Sequence, residues 1–424
     1  MTTPHTHAEP ITQGHARHFV FIQGMPSPFF RRVAGLLEEH GFRTTRINLC
    51  AGDRLFWRGR NTIDYKGRPA DWPRYIAQFF ADNAVTDLVL LGEKRRYHRE
   101  AVDAALSLGI RVSVTDFGYI RPDWITLERN GMSGASLFPR DPEAIRALAR
   151  RAPEVDWTPR FVDSAYLMAK SDLLYNFANL LLAWQFPHYR RSDRRPPTLI
   201  YTPASAWRLL TNRLLHARIS KAVARLRGGT DPYFLFPVQL DFDYQIVAYS
   251  PFEGMEQAIR EVLSSFARHA DPRARLVLKE HPWDPALKNW QRIMRKHAAA
   301  LGIGERVSYL RGGSLDDLIR SSNGVVTVNS TSGIRALQLD RPLQVLGQAI
   351  FDVPGLTHQG GLDTFWSQAS VPDMGLVEDF LKAVASTLQI RGVFFKKPGL
   401  DIAVKNAADK LRNMAGNPEA MEFE

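Results

Sequence analysis

The sequence predicts an α/β protein of two Rossmann-like domains facing across a cleft. Short apolar runs alternate with amphipathic, helix-length segments in both halves of the chain, the signature of a parallel sheet wrapped by helices. Most runs end at a glycine or a short polar loop. The 424 residues exceed one ordinary core and suit two domains.

In the first half, residues 19–22 (Phe-Val-Phe-Ile) form an apolar run closed by Gln23-Gly24. Residues 29–40 have helical spacing and stop at Gly41, a good C-cap. Residues 43–49 read as a strand, as do 87–91, closed by Gly92. A helix is expected near 99–108, stopped by Gly109, followed by a strand at 110–114 that ends at Thr115-Asp116. The second half repeats the logic. Strands are expected at 233–238, 275–278, 307–310, 324–328 and 342–346, and helices at 255–269, 285–301, 314–320 and 334–339. Ser314 suits an N-cap. Residues 190–197 are charged and proline-rich, as linkers are. The expected division is an acceptor-side domain at 18–190 and a nucleotide-sugar domain at 191–375. Helices at 376–424 could return to the first domain.

The formal net charge of +11 points to an anionic partner. Between His188 and Gly228 about ten Lys and Arg face one acid, Asp193. No zinc-finger spacing or RNP1-type aromatic motif is present, so nucleic acid is not the expected partner. The single cysteine, Cys50, cannot form an intramolecular disulfide and reads as a small core residue. No window reaches the roughly 18 uncharged apolar residues of a membrane-spanning helix. The polar first 17 residues, with His5, His7 and His15, lack the apolar core of a signal peptide. They read as a frayed tail, with a metal cluster as the sharper alternative. Residues 207–227 place Trp207, Leu210, Leu214, Leu215, Ile219, Val223 and Leu226 at helical spacing among Arg and Lys. That pattern fits a basic amphipathic helix on an anionic bilayer, or a helix packed on its own domain with a solvated basic face.

Ligands of open parallel sheets bind beyond the carboxyl ends of the strands. Asp116, Asp241, Asp243, His281 and Ser330 each follow an expected strand and should line one crevice. Asn329-Ser330-Thr331-Ser332-Gly333 opens a helix, where free N–H groups and serine hydroxyls favour a phosphate. A plain N-cap is the alternative. His281 precedes Pro282, which holds it extended, and can donate to a phosphate oxygen. Lys279, two residues earlier, shares its side of the strand. A satisfied core histidine is the alternative. Asp241-Phe242-Asp243 resembles a metal-binding Asp-x-Asp, but no metal is expected because basic and helix-end donors already face the phosphate. A carboxylate nucleophile at an anomeric carbon is the preferred reading, with two solvated turn aspartates as the alternative. Asp116 suits a general base for an acceptor hydroxyl, with Glu128 in reserve.

These segments together resemble a known family. Gln23-Gly24 with Pro26 and Phe29-Phe30, residues 116–122 (Asp-Phe-Gly-Tyr-Ile-Arg-Pro), Gln239 to Asp243 with Ile246, Lys279-Glu280-His281-Pro282 and residues 329–333 resemble the bacterial capsular polysaccharide β-Kdo transferases. The type that starts the Kdo linker on a lipid is the nearest. The resemblance implies a GT-B-like fold and retaining transfer from CMP-Kdo to a phosphatidylglycerol or lyso-phosphatidylglycerol acceptor. It also implies work at the anionic cytoplasmic face of the inner membrane, beside other capsule synthesis enzymes. CMP binding carries over onto His281, Pro282 and residues 330–332. Retention implies double displacement through a carboxylate, Asp243 in preference to Asp241. The chain departs from the family where Phe242 replaces an expected acid and where Asp116 stands in place of a frequent glutamate. The competing readings are a sialyltransferase or epimerase on the same architecture, and a non-catalytic capsule assembly protein.

Overall fold

A computed structural model describes residues 17–191, 195–229 and 231–414. The tail with His5, His7 and His15 lies outside them, as does Asp193. The first lobe runs β1 (His18–Phe21), α1 (Phe29–Glu39), β2 (Arg43–Asn48), α2 (Ala51–Trp57) and β3 (Thr62–Asp64). It continues with α3 (Trp72–Asp82), β4 (Asp87–Leu91), α4 (Arg96–Ser107), β5 (Arg111–Phe117), β6 (Trp124–Arg129) and α5 (Pro142–Arg151). Three helices lead across: α6 (Ala165–Leu181), α7 (Thr198–Leu214) and α8 (His216–Gly228). The second lobe holds β7 (Tyr233–Pro237), α9 (Tyr244–Tyr249), α10 (Met255–His269), β8 (Arg275–Lys279), α11 (Trp290–Ala300) and β9 (Val307–Leu310). Then come α12 (Leu315–Arg320), β10 (Gly324–Thr327), α13 (Ser332–Gln338), β11 (Leu343–Val345) and α14 (Leu362–Gln368). The chain closes with α15 (Met374–Thr387), β12 (Gln389–Arg391) and α16 (Gly399–Asn413).

The first sheet has seven strands in the order β12-β6-β5-β4-β1-β2-β3; the second has five in the order β11-β10-β7-β8-β9. The second is wholly parallel. The first is parallel only from β3 to β5, because β6 runs antiparallel to β5 and to β12. Each lobe therefore contains the Rossmann 3-2-1-4-5 order. The strand order reverses between β1 and β4, and again between β7 and β10, and ligands bind in the crevice at such reversals.

The apolar runs form strands because both sheet faces are covered. Phe19 and Phe21 pack on one side with Phe29, Val33, Val404 and Leu411; Val20 and Ile22 pack on the other with Trp72, Ile76 and Ala101. Successive side chains alternate across the pleat, so a near-continuous apolar run satisfies both faces. Full burial of each such side chain contributes about 1.5–3 kcal/mol. In the second lobe Phe234 and Phe236 face α10, while Leu235 faces the core that holds Ile334 and Phe380.

After α15 the chain returns to the first lobe. β12 adds to β6, and α16 lies on α1, where Arg32 meets Asp401 at 2.6 Å. The helix expected at 285–301 begins only at Trp290, because the Asn289 side chain caps it by accepting from the Arg292 N–H. The single helix expected at 207–227 is two, α7 and α8, broken at Leu215. Cys50 is buried against the Tyr175 hydroxyl at 3.1 Å, and burial pushes its thiol far up, so it is a core residue. No helix among the described residues is long and apolar enough to cross a membrane.

Candidate active site

The two strand-order reversals meet. Gly92 closes β4, and Glu93 follows it, buried, accepting a hydrogen bond from the Tyr249 hydroxyl of α9. Lys94 lies 5.6 Å from the Tyr249 ring and Arg95 lies 5.9 Å from the Tyr244 ring. One loop of the first lobe thus grips the helix that Asp243 starts.

Asp243 is the N-cap of α9, its Oδ1 accepting from the Gln245 N–H at 3.0 Å. Burial, and then the nearby Asp116 carboxylate, push its pKa up to about 6, against donation from the Gln245 N–H and the Gln239 side chain and the charge of Arg121. Asp116 is not in a loop after its strand, as the sequence suggested. β5 runs on to Phe117, because β6 extends the ladder and pairs Asp116 with Thr126. Its Oδ1 accepts from the Phe117 N–H at 2.7 Å. Burial raises its pKa, and Arg95 and Arg121 act against the rise. Arg121 is exposed and always charged, and it interacts with Asp116 and Asp243 together. An acid from each lobe and a shared guanidinium therefore form one electrostatic cluster.

The second lobe adds nitrogen donors. His281 follows β8, and its Nδ1 accepts from the Trp283 N–H at 3.1 Å. That bond leaves the proton of the neutral ring on Nε2. Burial, then Lys279 and Arg121, push the ring down to about 4, so it stays neutral at ordinary pH. Lys279 ends β8, is buried, and among the described residues donates a long 3.4 Å bond to the Glu280 carbonyl; burial lowers its pKa. Pro282 is exposed.

The helix end at α13 differs from the open N–H cradle expected. Ser330 Oγ accepts from the Ser332 N–H at 3.2 Å, and the Ser330 carbonyl accepts from the Gly333 N–H at 2.9 Å. Ser330 therefore satisfies donors that a phosphate would have used, and the hydroxyls carry what remains. Ser332 Oγ is buried without a hydrogen-bond partner among the described residues. Thr331 precedes the helix with no side-chain cap bond. Gly333 is needed for packing, since a Cβ there would sit 2.5 Å from Phe351.

Asn329 exchanges bonds with Gln239 at 3.1 and 3.2 Å and donates to the carbonyls of Gln245 and Tyr249 at 2.7 and 3.2 Å. Its side chain ties β10 to α9, the helix that Asp243 caps. Asp241 is engaged elsewhere: it accepts from the Met255 N–H at 3.0 Å and pairs with Lys288 at 2.5 Å. The two acids of Asp241-Phe242-Asp243 thus diverge. No group of three or more His, Cys, Asp or Glu among the described residues could hold a metal ion. Glu128 is buried, accepts from Tyr119 and Ser136, and is pushed up to about 7 by burial. It sits on β6 opposite Val114 of β5.

Sequence reasoning missed Glu93 and gave Arg121 no role. The signal for Glu93 was its place directly after the glycine that closes β4. Burial raises Glu93 to about 7, with Asp116 contributing and Lys94 opposing.

The β5–β6 turn that carries Arg121 depends on Gly118. A Cβ there would lie 2.4 Å from the Trp124 carbonyl oxygen and 2.8 Å from that of Ile120. Both are backbone atoms and cannot swing aside. Gly118→Ala is expected to destabilise the protein by about 1–3 kcal/mol, read as a lowered urea midpoint at unchanged slope.

A model of the family described as "Capsule polysaccharide biosynthesis protein" matches residues 86–395. The chain is 31% identical over 386 residues to the capsule polysaccharide export protein KpsS of Escherichia coli, covering 89% of this chain and 97% of that protein. It is 28% identical over 397 residues to the capsule polysaccharide modification protein LipB of Neisseria meningitidis serogroup A, covering 90% and 92%. A solved structure of Thermosulfurimonas dismutans KpsC, beta Kdo 2,7 transferase, is 14% identical, covers 94% of this chain and 100% of that one, and has a TM-score of 0.46.

Proposed function

Because this chain belongs to the capsule polysaccharide biosynthesis protein family, we propose that it is a retaining β-Kdo glycosyltransferase acting from CMP-Kdo on a phosphatidylglycerol or lyso-phosphatidylglycerol acceptor. It would work at the cytoplasmic face of the inner membrane, in capsule linker synthesis. The reading rests on one observation. Asp116 and Arg121 of the first lobe share an electrostatic cluster with Asp243 and His281 of the second, where both strand orders reverse.

In the first step the Asp243 carboxylate attacks the anomeric carbon of Kdo. The bond from that carbon to the CMP phosphate oxygen breaks, and CMP leaves with the electron pair. His281 Nε2–H and the Lys279 ammonium meet the charge developing on the departing phosphate. The hydroxyls of Ser330, Thr331 and Ser332 are the remaining donors. In the second step Asp116 takes the proton of the acceptor hydroxyl as its oxygen attacks the same carbon and the Asp243 ester bond breaks. Two inversions give retention. The Gln245 N–H at Asp243 and the Phe117 N–H at Asp116, with Arg121 adding its charge to both, favour the carboxylates against burial.

The test is mass spectrometry of phosphatidylglycerol and lyso-phosphatidylglycerol incubated with the purified protein and CMP-Kdo. CMP-sialic acid and UDP-sugars serve as parallel donors. One Kdo or more on the lipid supports the reading. Transfer only from another donor, or CMP-Kdo left intact, overturns it. His281→Ala is expected to weaken CMP binding about tenfold, the worth of one hydrogen bond to a charged group, measured by calorimetry.

A further inference from the structure

Helix α7 is turned inside out. Leu199, Pro203, Ala206, Leu210 and Leu214 recur at helical spacing along it, and all are exposed, as is Trp207 beside them at 67%. Its described polar residues are buried or half-buried. Arg208 is buried in an ion pair with Glu280, whose other oxygen accepts from Tyr309, and Thr211 accepts from Arg311 at 3.3 Å. A helix with solvent on its outer side normally buries its apolar stripe. Here the buried ion pair fixes the opposite rotation. The next helix, α8, behaves ordinarily and packs Val223 and Ile219 against Gly313 and Gly312.

The exposed face of α6 continues the theme. Tyr166, Leu173, Leu180, Leu181 and Trp184 just beyond it are exposed, Trp184 at 74%. The opposite face of α6 is spent on Gln23, Cys50 and Asp53 through Tyr175. The two helices adjoin, since Asp172 of α6 pairs at 2.7 Å with Arg195, whose guanidinium lies 5.1 Å from the Tyr201 ring of α7. Beside Leu174 of α6 opens a cavity of about 400 Å³ walled by Leu55, Phe56 and Trp57, with Arg31 and Arg58. Unpartnered apolar area of this extent marks a contact surface.

We propose that the outer face of α6 and α7 seats the protein on an anionic phospholipid bilayer. Trp184 and Trp207 enter the headgroup layer, and the arginines around the face meet lipid phosphates. The charge decides for a bilayer over a protein partner. The segment from His188 to Gly228 sets about ten Lys and Arg against one acid; Arg195 and Arg208 are spent on Asp172 and Glu280, while Arg190 and Arg191 at the join of the two helices and Lys221 and Arg225 of α8 are exposed. Aliphatic side chains and tryptophans rimmed by basic residues match the layered polarity of a membrane surface. The face reaches the reaction centre, because Tyr201 of α7 packs on Phe242, next to Asp243, at 6.0 Å. The proposal rests on the lipid-acceptor reading above and assigns it a surface.

The test is co-sedimentation of the full chain with phosphatidylcholine vesicles, with and without phosphatidylglycerol. The wild type is expected to prefer the anionic vesicles, and less so at high salt. The variant Trp184→Ser/Trp207→Ser/Leu210→Ser is expected to lose at least ~10-fold in vesicle affinity, with its thermal midpoint held. Leu199→Ser/Leu214→Ser is the second variant, should the first fold poorly. Wild-type-like vesicle binding by a folded variant overturns the proposal. So does absence of preference for phosphatidylglycerol, or a change only in oligomer size by light scattering. Kdo transfer to a water-soluble acceptor, run on the same variants, separates the two claims. Lost vesicle binding with intact transfer bears on docking alone, and vesicle binding without any transfer bears on the enzyme reading alone.

Discussion

Asp243→Asn is expected to lower Kdo transfer by about 10⁴-fold or more while CMP binding holds. Removing a covalent nucleophile removes the reaction path itself, and losses in such groups run to this size. Asparagine keeps the shape and can still cap α9 by accepting from the Gln245 N–H, so the loss is chemical. The pH behaviour follows from the same group. Its pKa stands at about 6, raised by burial and by Asp116, and only the carboxylate attacks. Turnover should therefore rise about tenfold per pH unit below 6 and level off above it. Stability runs the other way. A carboxyl raised in the folded state stabilises the fold fully below its unfolded value, and that contribution is lost as pH rises through about 6. Asp243→Asn removes the charge, so its thermal midpoint should exceed that of the wild type at pH 7 to 8 and match it near pH 4. A stabilised but inactive variant is what a strained functional acid leaves behind.

Asp116→Asn is expected to cost about 10²- to 10⁴-fold in turnover, the range for a lost general base. Its effect should differ in kind. The first displacement does not need Asp116, so one equivalent of CMP should appear rapidly and then stop, measured by rapid-quench chromatography. Loss of the rapid phase along with the slow one would move Asp116 out of the second step. Asp116→Glu is the informative partner, since the longer side chain tests whether reach or charge limits the base.

Much of the architecture was legible because buried parallel strands are short apolar runs with defined ends. The strands at Asp87–Leu91 and Val307–Leu310 and the helix Met255–His269 have the expected bounds. What escaped was set by partners distant in sequence. Gln389–Arg391 has no strand signal of its own and is a strand only because β6 offers an edge. That edge also drew β5 out to Phe117, which moved Asp116 from a loop into a ladder. The segment 207–227 carried an unbroken helical period, yet Arg208 could not show its buried partner Glu280, 72 positions away. Within that segment α8 turns its apolar side in, whereas α7 leaves its apolar side exposed.

The site was legible to a similar depth. The expectation that function sits at strand ends pointed to Asp243 and His281, and both interact with the charge of Arg121 in the structure. It did not distinguish ligand-facing groups from groups that hold them. Asn329 ties α9 to β10, and Ser330 satisfies the start of α13. Asp241 holds Lys288 and the start of α10. Only the hydrogen bonds separate these roles, and residue type alone does not encode them. Glu93 was hidden for the complementary reason: its interest comes from Tyr249, on the opposite lobe.

The central claim is a covalent link between Kdo and one acid of the second lobe, released by another acid of the first. Intact-mass and peptide mapping of the Asp116→Asn protein after CMP-Kdo addition tests it most directly. The account expects a mass gain of one Kdo unit on the peptide that carries Asp243, absent from Asp116→Asn/Asp243→Asn. An adduct on any other side chain, or lipid-linked Kdo formed at the wild-type rate by Asp243→Asn, would contradict it.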